Sequence, residues 1–223
     1  MFLPGPAGRL EGLLNEGSGE ATHAALVCHP HPLFGGTLHN KVVFHAMKVL
    51  NGFGFPVLRF NFRGTGLSTG EHDNGVGETE DVRTALQWLE QEFRLPVVFA
   101  GFSFGAAVGL RPACADERVD ALIGLGLPAL PVPSDTGRAR IYDFDFLRKC
   151  AKPKLLVSGA RDQFAPPGAL EALASTFAEP KLLVRIAGAD HFFEGKIKDM
   201  REAMEMWLKE TVARQPGRTG RAV

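Results

Sequence analysis

Residues 97–107 read Val-Val-Phe-Ala-Gly-Phe-Ser-Phe-Gly-Ala-Ala, and this stretch decides the fold. Its first half is an apolar run typical of a buried strand, and its second half begins a helix of small residues. The turn between them is a G-x-S-x-G motif centred on Ser103, in which the flanking glycines let a strained turn form without a clash. The turn exposes the hydroxyl at a helix N-terminus, where free N–H groups face developing negative charge. We therefore predict that Ser103 is a nucleophile; the alternative, a chance glycine-rich turn, is disfavoured by the strand and helix around it.

Strand-like and helix-like segments alternate along the rest of the chain. Short apolar runs predict further strands at 24–28, 55–60, 122–127, 154–158 and 181–186. Helical spacing or flanking signals predict helices at 40–50, 78–93, 104–115, 167–177 and 196–212. The stretch up to residue 20 is expected to add a strand or hairpin. Such alternation indicates an α/β fold with a mostly parallel sheet, helices on both faces, and a site beyond the carboxyl ends of the strands.

An acid and a base follow the serine along the chain. A serine hydroxyl needs a base to take its proton. When the serine lies on this kind of strand-to-helix turn, called a nucleophile elbow, the acid follows it along the chain and the histidine follows the acid. Asp162 lies just after the strand at 154–158, and His191 lies just after the strand at 181–186. We predict that both join Ser103 at one edge of the sheet. Other candidates are Asp143, Asp145 and Asp190 for the acid and His72 for the base.

Two main-chain donors are expected to form an oxyanion hole. The first is the N–H of Phe104, directly after the nucleophile, and the second comes from the loop after an early strand. That loop, residues 29–36, reads His-Pro-His-Pro-Leu-Phe-Gly-Gly, and we call it the oxyanion loop. Proline has no N–H, which leaves His31 and Leu33, and His31 is preferred because it lies two residues past the strand.

Histidines in and after the oxyanion loop raise the alternative of a metal site. The side chain of His29 is expected to orient the loop by hydrogen bonds. A zinc site built from His29 and His31, with His39 or His45, is disfavoured because alternate residues separated by proline point in different directions. We therefore predict no metal.

Composition bounds the class of protein. The 223 residues suit one domain, predicted over 1–214, followed by a flexible Gly/Arg-rich tail at 215–223. The 25 basic residues balance 25 acidic ones, which gives no reason to expect nucleic acid or an anionic membrane as partner. The sequence shows neither a membrane span nor a signal-peptide pattern, and its three cysteines are sparse, so we expect a cytoplasmic protein. The sequence contains no pattern that indicates the oligomeric state.

These motifs together resemble the small bacterial α/β-hydrolases related to dienelactone hydrolases and short-chain acyl esterases. The matching stretches are 29–36, 39–43, 61–70, 101–105, the Asp162 loop and 188–193. The resemblance implies an α/β-hydrolase fold with a Ser–His–Asp triad, a minimal cap or none, and no cofactor. Dienelactone hydrolases proper use cysteine where this chain has Ser103, which argues against dienelactone as substrate. We expect Arg63 to tie its long loop to carbonyl groups; the alternative is that it binds a substrate carboxylate.

Phenylalanine occurs in every predicted catalytic loop, which bears on the substrate. We predict an apolar site lined by Phe34, Phe102, Phe164, Phe192 and Tyr142, although single rings can pack inward instead. Tyr142 belongs to residues 128–150, the one candidate for a small lid. The expected function is carboxylesterase action on short-to-medium acyl or aryl esters through an acyl-enzyme. Alternatives are a thioesterase or peptidase with the same triad, or a non-catalytic interaction protein on a hydrolase scaffold.

Overall fold

A single mixed sheet organises the chain, and its computed structural model describes residues 1–133 and 138–212. Eight strands in these residues pair in the order β1-β2-β4-β3-β5-β6-β7-β8. β1 and β2 form an antiparallel hairpin, β2 runs antiparallel to β4, and all later neighbours are parallel. The strands are β1 Phe2–Gly5, β2 Gly8–Asn15, β3 Ala24–Cys28, β4 Val57–Phe60, β5 Val97–Phe102, β6 Val119–Leu125, β7 Lys154–Gly159 and β8 Lys181–Ile186.

Helices cover both faces of this sheet. They are α1 Lys41–Gly52, α2 Val76–Phe93, α3 Phe104–Ala115, α4 Ala169–Ser175 and α5 Ile197–Thr211, with short 3-10 turns at Pro32–Phe34 and Asp145–Arg148. Apolar residues of α1 and α5 bury one face, and those of α2, α3 and α4 bury the other. Because side chains alternate along a strand, Leu26 in β3 packs on the face covered by α2, α3 and α4, while its neighbour Val27 packs on the face covered by α1 and α5. None of the described helices combines the length and apolarity needed to cross a bilayer.

The predicted parallel sheet and N-terminal hairpin are both present, with shifted element ends. β6 begins at Val119 and ends at Leu125, whereas the sequence predicted 122–127. α4 begins at Ala169 instead of 167, because Gly168 adopts a positive φ of 87° that a helix cannot continue. The described part of segment 128–150 contains a bridge between Val132 and Arg140. The predicted tail at 215–223 lies outside the described residues.

Candidate active site

Ser103 lies in a sharp turn between β5 and α3. Its φ and ψ are 53° and −114°, a conformation that residues other than glycine rarely adopt. The flanking glycines are required by close backbone contacts. A Cβ on Gly101 would lie 2.6 Å from the main-chain nitrogen of Ala106, and one on Gly105 would lie 2.5 Å from the carbonyl oxygen of His29. The predicted steric reason for the motif therefore holds in the structure.

The structure brings the three predicted side chains together at the edge of the sheet. His191 Nε2 lies 3.0 Å from Ser103 Oγ, and His191 Nδ1 lies 2.9 Å from Asp162 Oδ2. An ionised carboxylate can only accept, so Nδ1 carries a proton and Nε2 is left to accept from the serine hydroxyl. Asp162 and His191 are buried, with 1% and 3% of their surface exposed. This arrangement can transfer the hydroxyl proton to a base that a buried acid orients.

Main-chain hydrogen bonds order the acid loop, residues 159–166, and fasten it to the base loop, residues 188–193. Arg161 N donates to the carbonyl of Ala189 at 2.8 Å, and Phe164 N donates to Asp162 Oδ1 at 2.9 Å. The base loop is also ordered by Asp190, whose Oδ1 accepts from the N–H groups of the second and fourth residues after it. Main-chain contacts in both loops thus help to set the geometry of the Asp162–His191 pair.

The rival acids and base are engaged elsewhere. Asp190 caps its own loop, as described above. Asp143 pairs with Arg111, and Asp145 pairs with Arg148, both on exposed surface. His72 Nδ1 lies 2.7 Å from a carboxylate oxygen of Glu78, behind the oxyanion loop.

His29 holds the oxyanion loop through both of its ring nitrogens. Nε2 accepts from the N–H of Phe62 at 3.0 Å, which places the proton on Nδ1, and Nδ1 donates to the carbonyl of Pro30 at 2.7 Å. Burial lowers the pKa of His29 to about 4, so the ring is neutral near pH 7. These bonds support the predicted orienting role of His29. They also occupy both of its ring nitrogens, one of which the zinc alternative would need as a ligand.

The geometry favours His31 over Leu33 as the second oxyanion donor. The N–H of Leu33 donates to Nδ1 of His31 at 3.3 Å, and Leu33 is 52% exposed and is not one of the described residues that line the cavity beside Ser103. His31 lines the cavity beside Ser103. Phe104 is the first residue of α3, where helix geometry leaves the main-chain N–H without an intrahelical acceptor.

A cavity of about 380 Å³ opens onto Ser103 and His191. Phe34, Phe164, Phe192 and Tyr142 line it as predicted. Sequence reasoning missed its other walls, which include Asn40, Pro128, Val132, Pro133 and Gln163. No aspartate, glutamate, lysine or arginine occurs among the lining residues in the described part of the chain. The cavity therefore suits an uncharged, largely apolar ligand.

One predicted role, that of Phe102, and one predicted set of partners, that of Arg63, are wrong. Phe102 does not line the cavity: it is fully buried, and its ring lies 5.1 Å beneath that of His191. Within residues 1–133 and 138–212, the partner of Arg63 is not a carbonyl group: its guanidinium donates to both carboxylate oxygens of Asp81, at 2.8 Å from Nη2 to Oδ1 and 3.1 Å from Nε to Oδ2. This hydrogen bond raises the pKa of Arg63. The pair is nearly covered, so Arg63 does not present its charge to a substrate.

Comparison with known proteins decides the family. A family model described as an alpha/beta hydrolase domain matches residues 34–215, which contain the elbow, the acid loop and the base loop. The chain belongs to the α/β-hydrolase family. The resemblance and the fold predicted from the sequence are thereby confirmed.

Known relatives of this hydrolase cover nearly its whole length. It is 34% identical to an uncharacterised protein of Rickettsia prowazekii over 215 residues, which span 93% of this chain and 87% of that protein. It is similar to the structure of an α/β serine hydrolase homologue from Coxiella burnetii, with 36% identity, a TM-score of 0.82 and coverage of 92% and 95% of the two chains. It is also similar to an α/β serine hydrolase from Xanthomonas campestris described as having no lid, with 32% identity, a TM-score of 0.81 and coverage of 97% and 95%. These likenesses support a hydrolase.

Proposed function

We propose that this protein is a serine carboxylesterase that cleaves short-to-medium acyl esters, with Ser103 as nucleophile, His191 as base and Asp162 as orienting acid. The observation that carries the proposal is the hydrogen-bonded set of Ser103, His191 and Asp162, with distances of 3.0 and 2.9 Å, beside a cavity whose described lining residues include no aspartate, glutamate, lysine or arginine. A degenerate scaffold with a binding role alone would have no need of this ordered set.

The proposed reaction has two proton-balanced halves. His191 Nε2 takes the hydroxyl proton as Ser103 Oγ attacks the acyl carbonyl, and the oxyanion accepts hydrogen bonds from the N–H groups of Phe104 and His31. The intermediate collapses when His191 returns the proton to the departing alcohol, which leaves an acyl group on Ser103. His191 then takes a proton from water as the water attacks the acyl group, and it returns that proton to Ser103 Oγ as the bond to Ser103 breaks and the carboxylic acid is released.

The lining residues support an apolar acyl group. Aromatic rings line the cavity beside the nucleophile, and the side chains of Asn40 and Gln163 add polar groups that can orient an ester. Described residues of segment 128–150 contribute Pro128 and Tyr142 to one wall. That the segment acts as a small lid stays a prediction.

A panel of p-nitrophenyl esters of increasing chain length tests the proposal, with Ser103→Ala as the background control. Each methylene buried in the cavity is worth about 0.8 kcal/mol, so kcat/KM should rise up to about fourfold per methylene until the chain outgrows the cavity. A matched thioester and a peptide amide give the competing activities. Highest activity on acetate, with no gain at butyrate or hexanoate, would contradict the apolar acyl site.

A further inference from the structure

We propose that Ser158 and Arg185 are positioning residues for the acid Asp162, linked to it in a hydrogen-bonded chain that ends at Glu171. The proposal rests on the proposed function, because it assigns how the base of that reaction is held. This hydrogen-bonded chain joins residues of β7, β8 and α4 to the acid loop.

Strand register places the two residues side by side. Ser158 belongs to β7 and pairs with Arg185 of β8 in the parallel ladder. Paired residues in adjacent strands project from the same face of the sheet. Ser158 is fully buried, and the side chain of Arg185 is 17% exposed. The contact is therefore built into the sheet next to the loop that carries the acid.

The direction of each hydrogen bond is fixed by chemistry. Arg185 Nη1 lies 3.0 Å from Ser158 Oγ, and a guanidinium can only donate. The single hydroxyl hydrogen of Ser158 is then directed to Asp162 Oδ2, at 3.3 Å. The same Oδ2 accepts from His191 Nδ1, while Oδ1 accepts from Phe164 N. Three donors thus fix the plane of the carboxylate, and Ser158 is the one that does not come from the catalytic loops.

Arg185 also holds the acid loop at both ends. Its Nη1 shares two hydrogens among Ser158 Oγ and the carbonyl oxygens of Gly159 at 3.0 Å and Ala165 at 2.6 Å, and these two carbonyls flank Asp162 in sequence. On the opposite side, its Nε and Nη2 donate to Glu171 at 2.9 and 3.3 Å. Glu171 therefore compensates the guanidinium charge, and the hydrogen bond from Arg185 lowers the pKa of Glu171 to about 2. The ion pair with Glu171 thus holds the Arg185 guanidinium in place, and the Ser158 hydroxyl links it to Asp162 by hydrogen bonds.

The direct test compares Ser158→Ala with Ser175→Ala, which removes a hydroxyl whose partner in the described part of the chain is a carbonyl of its own helix. Ser158→Ala should lower kcat about tenfold, as expected for the loss of one hydrogen bond to a charged group, with KM unchanged. Ser175→Ala should match the wild type. Ser158→Thr keeps the hydroxyl and should restore most of the lost kcat, and Arg185→Lys, which cannot reach all its partners, should resemble Ser158→Ala.

Active-site titration with a fluorophosphonate separates positioning from folding. The proposal predicts that Ser158→Ala has the same number of fluorophosphonate-reactive sites per protein molecule as the wild type, and that each site turns over more slowly. A kcat equal to the wild type, or a kcat loss that only follows a lower count of sites, would overturn it.

A spectroscopic readout keeps this test independent of the substrate. The low-field proton resonance of His191 Nδ1–H reports its hydrogen bond to Asp162 even if no ester proves to be a substrate. We expect this resonance to shift or broaden in Ser158→Ala and to stay in place in Ser175→Ala. Absence of esterase activity in the wild type would refute the proposed function alone, whereas an unchanged resonance in Ser158→Ala would refute the positioning role.

Discussion

His29 makes the stability of the hydrolase depend on pH by an amount that can be calculated. Burial lowers the pKa of the folded-state ring from 6.5 to about 4, against a smaller opposing effect of its bond to Pro30. In the unfolded chain the ring of His29 has its ordinary pKa. At a pH between the two pKa values, the unfolded state therefore binds a proton that the folded state does not bind. The contribution of His29 to stability is thus complete above pH 6.5 and is lost as the pH falls towards 4.

The size of this effect follows from the pKa difference. Each pKa unit corresponds to about 1.36 kcal/mol, so acidification from about pH 7.5 to about pH 4.5 removes about 2.5 kcal/mol from the free energy of unfolding. That is a large share of the roughly 5–15 kcal/mol that stabilises a typical domain. Burial also lowers the pKa of His23, which contributes with the same sign, so the wild type alone cannot isolate His29.

Urea unfolding of the wild type and His29→Gln at both pH values isolates the contribution. Glutamine can still accept from Phe62 N–H and does not titrate. We expect the wild type to lose about 2.5 kcal/mol more than His29→Gln on acidification, even though the variant starts less stable. Equal losses in the two proteins would refute the claim that the buried ring is neutral and resists protonation.

Three further predictions concern the elbow, the buried ion pair and the cavity. Gly105→Ala should abolish ester hydrolysis and lower thermal stability, because its Cβ would lie 2.5 Å from a carbonyl oxygen of the oxyanion loop; a stable, active variant would contradict the steric argument. Arg63→Gln should destabilise the fold by about 3 kcal/mol in urea unfolding, because the buried carboxylate of Asp81 loses its cationic partner. A change under about 0.5 kcal/mol would show that the ion pair is dispensable. Phe164→Ala should raise KM with little effect on stability, whereas Phe102→Ala should cost about 3–5 kcal/mol of stability; the reverse pattern would contradict their placement.

The arrangement of the candidate site could be predicted because it depends on topology. Parallel strands end at one edge of the sheet, so residues that directly follow three strands meet there. Ser103, Asp162 and His191 each follow a strand, and the apolar runs that identify the strands are clear in the sequence. The absence of an N–H on proline likewise limits the second oxyanion donor to His31 or Leu33 on the sequence alone.

Side-chain destinations that depend on packing could not be predicted equally well. Phe102 shares a face with Ala100 and Val98 through the two-residue period of β5, a signal that could have assigned it to the core under His191. No local pattern links Arg63 to Asp81, because the pairing depends on how α2 lies against the loop. The same holds for Gln163, whose place in the cavity wall follows from the shape of the whole acid loop.

Labelling with a fluorophosphonate, followed by peptide mapping, tests the central claim that Ser103 is an activated nucleophile. The relay to His191 and Asp162 predicts one phosphonylated site, on Ser103, in the wild type and in the control variant Ser175→Ala, and no labelling in Ser103→Ala. Labelling that persists in Ser103→Ala, or that maps to another residue in the wild type, would contradict it.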